Sequence, residues 1–308
     1  MSGRTIRIAT RASQLALWQA NHIASLLREQ RDVEAVELVE VSTQGDRDRS
    51  EPLRQFGGLG VFTREVQNAV LENRADLAVH SLKDLPTKSE PGLALAGIPA
   101  RGPVFDVLVG ARSSTAISID DLRQNARVGT GSPRRQAQLK HVRPDLDLRE
   151  IRGNVETRLR KLDEGEYDAI VLAEAGLVRL GLADRDFVRL SPPAMFPAVA
   201  QGALGLECRE SDTDVCELLE SLSDRETRAA ATAERALLSE LRAGCHAPLG
   251  ALTQIENESL HLSAVVLSLD GAERLHAECS GSIEDPISVG RHLAELLRAQ
   301  GVDRLLNQ

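Results

Sequence analysis

Aromatic side chains are scarce in this chain, with five Phe, one Tyr and one Trp in 308 residues. Single-stranded nucleic acids are gripped largely by bases stacked on aromatic rings, so that class of partner fits poorly. Long apolar runs are missing too. No stretch approaches the ~18 unbroken apolar residues of a membrane span, and the opening MSGRTIRIAT has no apolar signal core. A cytoplasmic protein that meets no membrane is the expectation. Cysteine is sparse: Cys208, Cys216, Cys245 and Cys279 form no C-x-x-C pair. Neither a disulfide framework nor a zinc site is foreseen. Lysine is nearly absent, with four against 33 arginines.

What is present is acid and arginine. The chain carries 46 Asp+Glu against 37 Lys+Arg, a formal net charge of −9. Residues 121–160 reverse that balance, with ten basic and five acidic side chains, a local +5 that leaves −14 for the rest. An acidic body is a poor general nucleic-acid binder. A local arginine surplus suits a small carboxylate- or phosphate-bearing ligand, because the guanidinium fork matches such anions.

The length suggests two or three domains at ~100–200 residues each. In the first half, strand-like runs at 4–9, 36–42, 76–80 and 93–99 alternate with helical patterns at 15–29 and 62–73. The pattern restarts with strands at 106–110, 127–129, 146–151 and 168–173. Strands separated by helices predict parallel pairing and an α/β sheet. A Pro-rich break at 191–197 precedes a strand at 201–209, a helix at 224–241 and a small α+β module ending in a helix at 286–300. The expected domains are residues 1–99 with 203–220, residues 104–199, and residues 224–308.

Three segments carry candidate chemistry. His80-Ser81-Leu82-Lys83-Asp84-Leu85-Pro86 ends a strand, where α/β sheets gather ligands; the plainer alternative is a solvated Lys83–Asp84 pair. Gly129-Thr130-Gly131-Ser132-Pro133-Arg134-Arg135 starts a helix, with Ser132 as N-cap and Pro133 as first residue. Two arginines in that first turn oppose the helix dipole by ~0.3–1 kcal/mol each, unless an anion binds there. Ile151-Arg152-Gly153-Asn154-Val155-Glu156-Thr157-Arg158 repeats the arrangement, and Arg11 holds the same kind of place after the first strand. Together these arginines form a polyanion cradle. Cys245 lies in a loop between helix and strand with Arg242 and His246 beside it, neighbours that favour a thiolate.

These residues carry a family resemblance. IRIATRASQLALWQA, ADLAVHSLKDLP, VGTGSPRRQAQL, IRGNVETRL, YDAIVLAEAGLVRLG, PAVAQGALGLECR and AERALLSELRAGCHAPLG together resemble the hydroxymethylbilane synthase (porphobilinogen deaminase) family, in order from about residue 4 to the C-terminal helix. The resemblance implies two α/β domains like type II periplasmic binding proteins, a cleft between them, and a small α+β C-terminal domain. It implies a monomeric transferase of tetrapyrrole biosynthesis. Four porphobilinogen molecules are joined head to tail with loss of ammonia. The linear product then passes to uroporphyrinogen-III synthase.

The resemblance also assigns roles. A dipyrromethane cofactor is carried as a thioether on Cys245, and Asp84 matches the catalytic aspartate, whose carboxylate stabilises a cationic pyrrole. Ser81, Lys83, Asp84, Thr130, Ser132, Arg134 and Arg135 match cofactor-binding positions. Arg11, Ser13, Gln19, Phe62, Arg152, Arg158, Arg179 and Gln201 match substrate-binding positions. No metal is implied. Gln44, Gln55 and Leu59 depart from the basic residues common in relatives, in a loop expected to act as a lid. Ala200 and Ala243 stand where glycine is common, and tolerance is expected there unless the backbone needs positive φ. The rival reading is a non-catalytic two-domain binder of a small carboxylated ligand, which leaves the cysteine loop without a task.

Overall fold

The computed structural model describes residues 3–42, 63–111, 118–244 and 247–306. The chain begins with β1 (Arg4–Arg11), α1 (Gln14–Arg28), β2 (Val33–Val41), α2 (Arg64–Leu71), β3 (Leu77–Ser81), a 3-10 turn at Leu82–Asp84, and β4 (Leu93–Gly97). It continues through β5 (Asp106–Gly110), β6 (Arg127–Gly129), α3 (Pro133–Val142), β7 (Asp147–Arg149), α4 (Val155–Asp163), β8 (Ala169–Ala173), α5 (Glu174–Arg179) and β9 (Phe187–Leu190). Next come β10 (Leu204–Arg209), α6 (Thr213–Ser221) and α7 (Arg225–Glu240). The C-terminal part holds β11 (Leu249–Glu256), β12 (Ser259–Leu267), β13 (Arg274–Ser282), α8 (Pro286–Ala299) and α9 (Asp303–Leu306).

Two units result: Met1–Gly102 with Gly202–Arg228, and Pro103–Gln201 with Ala229–Gln308. The first holds the sheet β2-β1-β3-β10-β4, and the second holds β7-β6-β8-β5-β9. Position for position the two orders correspond. Both sheets are mixed rather than wholly parallel: β10 runs antiparallel to β3 and β4, and β5 antiparallel to β8 and β9. The expected parallel pairing holds among β1, β2 and β3 and among β6, β7 and β8, and fails for β5 and β10. Each reversed strand is the first one formed after the chain passes from one unit to the other. The third sheet, β11-β12-β13, is an antiparallel meander within the second unit.

Period-2 alternation dictates which side chains meet. In β1, Ile6 and Ile8 face a core with Leu77, Leu206 and the α1 residues Ala20, Ile23, Ala24 and Leu27, while Ala9 faces the other side with Val66, Val70 and Ala78. The α1 residues recur at three- and four-residue spacing, the stripe of a helix laid on a sheet. Full burial of a side chain such as Ile23 contributes ~1.5–3 kcal/mol. In the second unit Leu108, Val128 and Val171 share one core, and Val107, Val109, Ile170 and Leu172 the opposite one.

The strand beginnings of both units carry the same clasp. Asp76 donates its N–H to Arg7 O at 2.8 Å and accepts the Arg7 N–H at 2.9 Å; Asp168 and Arg127 repeat this at 2.8 and 2.7 Å. In each case the guanidinium also grips both carboxylate oxygens. Burial alone would raise the Asp76 pKa, but the Arg7 bonds prevail and hold it below the ordinary value. The clasp ties β1 to the start of β3 in the first unit and β6 to the start of β8 in the second.

Candidate active site

At the carboxyl end of the first unit's parallel strands, β1 gives way to Ser13, the N-cap of α1. Its side-chain oxygen accepts the Ala16 N–H at 3.3 Å. The buried Gln19, one turn further, donates from Nε2 to Ser81 Oγ at 2.8 Å, tying α1 to the end of β3. The chain after Ser81 tightens into the 3-10 turn. Leu82 points inward and is fully buried, Lys83 is half-buried and Asp84 is exposed. An apolar strand thus delivers a carboxylate to the surface on a short turn anchored beneath by Leu82, whose N–H also bonds Ala203 O at 3.1 Å. His80 does not join this polar group. It turns into the interior, where Nε2 lies 3.0 Å from Glu207 Oε2, and Gln67 Nε2 donates to the same oxygen at 2.8 Å.

In the second unit β6 leads into Thr130-Gly131-Ser132 and then α3. Ser132 occupies the N-cap position without capping through its side chain; instead Thr130 Oγ1 accepts the Ser132 N–H at 3.3 Å. The first helical turn contains no acid. Arg134 and Arg135 are not spread on the surface, being only 5% and 6% exposed. Both converge on Asp106, which is 0% exposed and heads β5. Because β5 is antiparallel to β8, its first residue lies beside Ala173 at the carboxyl end of β8.

The geometry of this cluster is specific. Asp106 Oδ2 accepts from Arg134 Nη1 at 2.7 Å. Oδ1 accepts from Arg135 Nη2 at 2.6 Å and Nε at 2.9 Å, and from Gln201 Nε2 at 3.0 Å. Arg135 Nη1 also donates to Val171 O at 2.9 Å, Gln201 to Val104 O at 2.8 Å, and Arg134 Nη1 to Phe196 O. Burial would raise the Asp106 pKa, but the two guanidinium groups hold its carboxyl well below the usual range. Burial likewise lowers Arg134, with Asp106 opposing. Two cations and one anion leave a surplus of +1 in a desolvated place. Among the described residues, no protein acceptor meets Nε or Nη2 of Arg134.

The other expected ligands lie nearby in sequence. Arg152, beyond β7, grips Glu150 Oε1 through Nε at 2.8 Å and Nη2 at 2.6 Å. Arg158 Nε donates to Gly153 O at 2.8 Å, inside a helix start capped by Asn154. Arg179 ends α5, and burial lowers it to about 10. Arg11 ends β1. Phe62, Gln44, Gln55, Leu59 and Cys245 lie outside the described residues. Asp106 and Glu207 were missed in the sequence. The available signal was an acid at the head of an apolar strand, DVLVG, which must find a cation if buried.

A set of carboxylate-binding donors and an exposed carboxylate on a short turn suit organic acid chemistry. Comparison with known proteins agrees. A family model described as "Porphobilinogen deaminase, dipyromethane cofactor binding domain" matches residues 6–217, and one for the "Porphobilinogen deaminase, C-terminal domain" matches residues 229–299. A protein named "Porphobilinogen deaminase" from Stenotrophomonas maltophilia (strain K279a) is 46% identical over 303 residues, 98% of this chain and 99% of that one. Its namesake from Syntrophotalea carbinolica is 45% identical over 306 residues, 99% of this chain and 96% of that one. A solved ancestral cationic amino acid solute-binding protein covers 71% of this chain and 87% of its own at 16% identity, but its TM-score of 0.43 carries no argument. The matched models span both units and the C-terminal sheet, and with the relatives' identity they establish that this chain belongs to the porphobilinogen deaminase family.

Proposed function

We propose that this chain is a hydroxymethylbilane synthase, a transferase that condenses four porphobilinogen molecules head to tail, releases ammonia at each step and frees the linear tetrapyrrole by hydrolysis. The observation that carries this reading is Asp84, an exposed carboxylate on a tight turn at the end of a buried strand. Loss of ammonia from porphobilinogen leaves positive charge shared with the pyrrole nitrogen. A fixed carboxylate facing that N–H stabilises the charge, and its oxygen can pass a proton toward the departing amine. Lys83, Ser81 and Gln19 orient the substrate's polar groups around it, with Ser13 and Arg11 on the neighbouring strand end.

The donor set fits a dipyrromethane, whose side chains are acetates and propionates. The surplus positive charge around Asp106 and the open Arg134 edge match a buried carboxylate partner. Arg134, Arg135, Thr130 and Ser132 would hold the group, with Cys245 its covalent anchor in the C-terminal module, residues 224–308. When bound, it supplies a tethered pyrrole to which the first porphobilinogen is joined. Arg152, Arg158 and Arg179 serve the carboxylates of the units added later, while Gln201, whose amide donates to Val104 O and Asp106, supports the arginine pair. We place the enzyme in the cytoplasm as a monomer, its product passing to a ring-closing synthase. Among the described residues no helix is long and apolar enough to cross a membrane.

The test is turnover of porphobilinogen by the purified, primed protein, read as ammonia released and linear tetrapyrrole formed. D84N is expected to lose ~10²–10⁴-fold in rate, the span typical of an acid–base group, with its unfolding midpoint retained. Normal turnover by D84N would remove Asp84 from the mechanism, and a wild-type protein inert toward porphobilinogen would overturn the whole reading.

A further inference from the structure

The Asp106 cluster contains more than a fold requires. A lone buried arginine would be neutralised by one carboxylate, yet among the described residues two guanidinium groups share a single anion, Asp106. The sharing is uneven. Asp106 takes Arg135 along its Nε–Nη2 edge, the edge that makes bidentate carboxylate pairs, at 2.9 and 2.6 Å. It takes Arg134 only by Nη1, at 2.7 Å. The equivalent Nε–Nη2 edge of Arg134 meets no protein acceptor among the described residues, although that side chain is more than nine-tenths buried. Nη1 is itself locked between Asp106 and Phe196 O, so the guanidinium plane has no freedom to swing. Gln201 braces the carboxylate from Val104 O.

We propose that Asp106 is a positioning residue: it consumes the Nε–Nη2 edge of Arg135, leaves that of Arg134 unspent, and sets the pair to accept one ligand carboxylate. This rests on the reading of the site as a binder of pyrrole carboxylates. Asp106 acts through charge count as well as direction. With it the cluster is short of one negative charge; without it, of two. Removing it leaves two buried cations to be satisfied by one ligand group or by water, and both planes free to turn. Specificity follows, because a monocarboxylate group completes the cluster while a neutral side chain leaves a buried positive charge unpaired.

Two variants separate positioning from bulk stability. D106N removes the charge and keeps the shape; D106E keeps the charge and displaces both guanidinium groups by one methylene. Each is measured for unfolding midpoint, for the fraction of chains carrying the covalent primer by intact mass, and for kcat and KM with porphobilinogen. Folded D106N is expected to show primer occupancy far below wild type. D106E, whose charge balance preserves the fold, is expected to lower primer occupancy severalfold while KM for porphobilinogen in the primed chains stays near wild type, because Arg134 and Arg135 hold the primer and not the incoming unit. Should D106N not fold, D106E alone decides the matter. Wild-type primer occupancy in a folded variant would overturn the proposal while leaving the function intact. A wild-type protein that neither carries primer nor consumes porphobilinogen would instead overturn the reading beneath it.

Discussion

Replacing Gly290 with Ala should destabilise the second unit, against what helix propensity alone predicts. Gly290 lies inside α8, where Ala is favoured over Gly by ~1 kcal/mol. But α8 crosses α7 at that point. A Cβ on residue 290 would sit 2.3 Å from Ala233 O, 2.7 Å from Ala236 Cβ and 2.9 Å from Leu237 N. Carbon atoms rest ~3.5–4.0 Å apart, so the helices must separate by about 1 Å. Two of the three obstacles are backbone atoms, which cannot rotate away. Separation would loosen Val289, Leu293, Ala294 and Leu297, all buried on the same face of α8. Overpacking of this kind costs ~1–3 kcal/mol, and the upper part of that range applies because the neighbour is main chain. Net of the propensity gain, a loss of about 1–2 kcal/mol is expected, which lowers the midpoint by about 2–8 °C for a unit of this size. Thermal unfolding followed by far-UV circular dichroism measures it. A G290A protein as stable as wild type, or more so, would refute the claim that backbone contact fixes these helices. The same displacement would move the end of α7, from which the chain runs toward residue 245, so primer occupancy is a second readout.

Two other outcomes are expected. C245S should give a folded protein whose intact mass lacks a dipyrromethane adduct; an adduct that persists in C245S would assign the anchor to another residue. Asp212 is held by Arg4 first and Arg209 next, and its carboxyl drops to about 2 from the ordinary 3.8. A carboxylate depressed in the folded state adds stability above its unfolded pKa and loses it as pH falls through the folded value. Urea midpoints should therefore decline between about pH 4 and pH 2, and D212N should flatten that decline; identical pH curves would show the clasp to be inert.

Much of this was legible in the sequence, and the exceptions have physical causes. The run DLAVH reads as a buried strand because Leu77, Ala78 and Val79 form an apolar stretch between polar ends, and in the second unit α4 announces itself through Asn154, which caps as its place before the helix implies. Strand β9 escaped notice: four residues with mixed burial offer no period to detect. The direction of β5 and β10 is invisible locally, since it depends on where the chain crosses between units. Arg134 and Arg135 were recognised as a costly pair at a helix start, but their acceptor within the chain is 28 residues away and cannot be inferred from spacing. Ala200 is the clearest correction. Its φ of +57° places it in the left-handed region, so tolerance there is not free: the position costs an L-residue ~1–2 kcal/mol. The buried methyl and the Ala200 N–H bond to Glu234 Oε2 at 2.6 Å offset part of that cost.

The placement of β10 between β3 and β4 has a consequence for how the chain is made. β4 ends at Gly97, and its only strand partner among the described residues begins at Leu204. On a ribosome adding ~5–20 residues per second, that partner arrives roughly 5–20 s later. During that interval β3 has an open edge and β4 has nothing to pair with, while the second unit's own strands are already emerging. The nascent first unit must therefore stay unfinished without recruiting a foreign strand into the gap. Chains arrested shortly before residue 204 are the ones that would need a chaperone most.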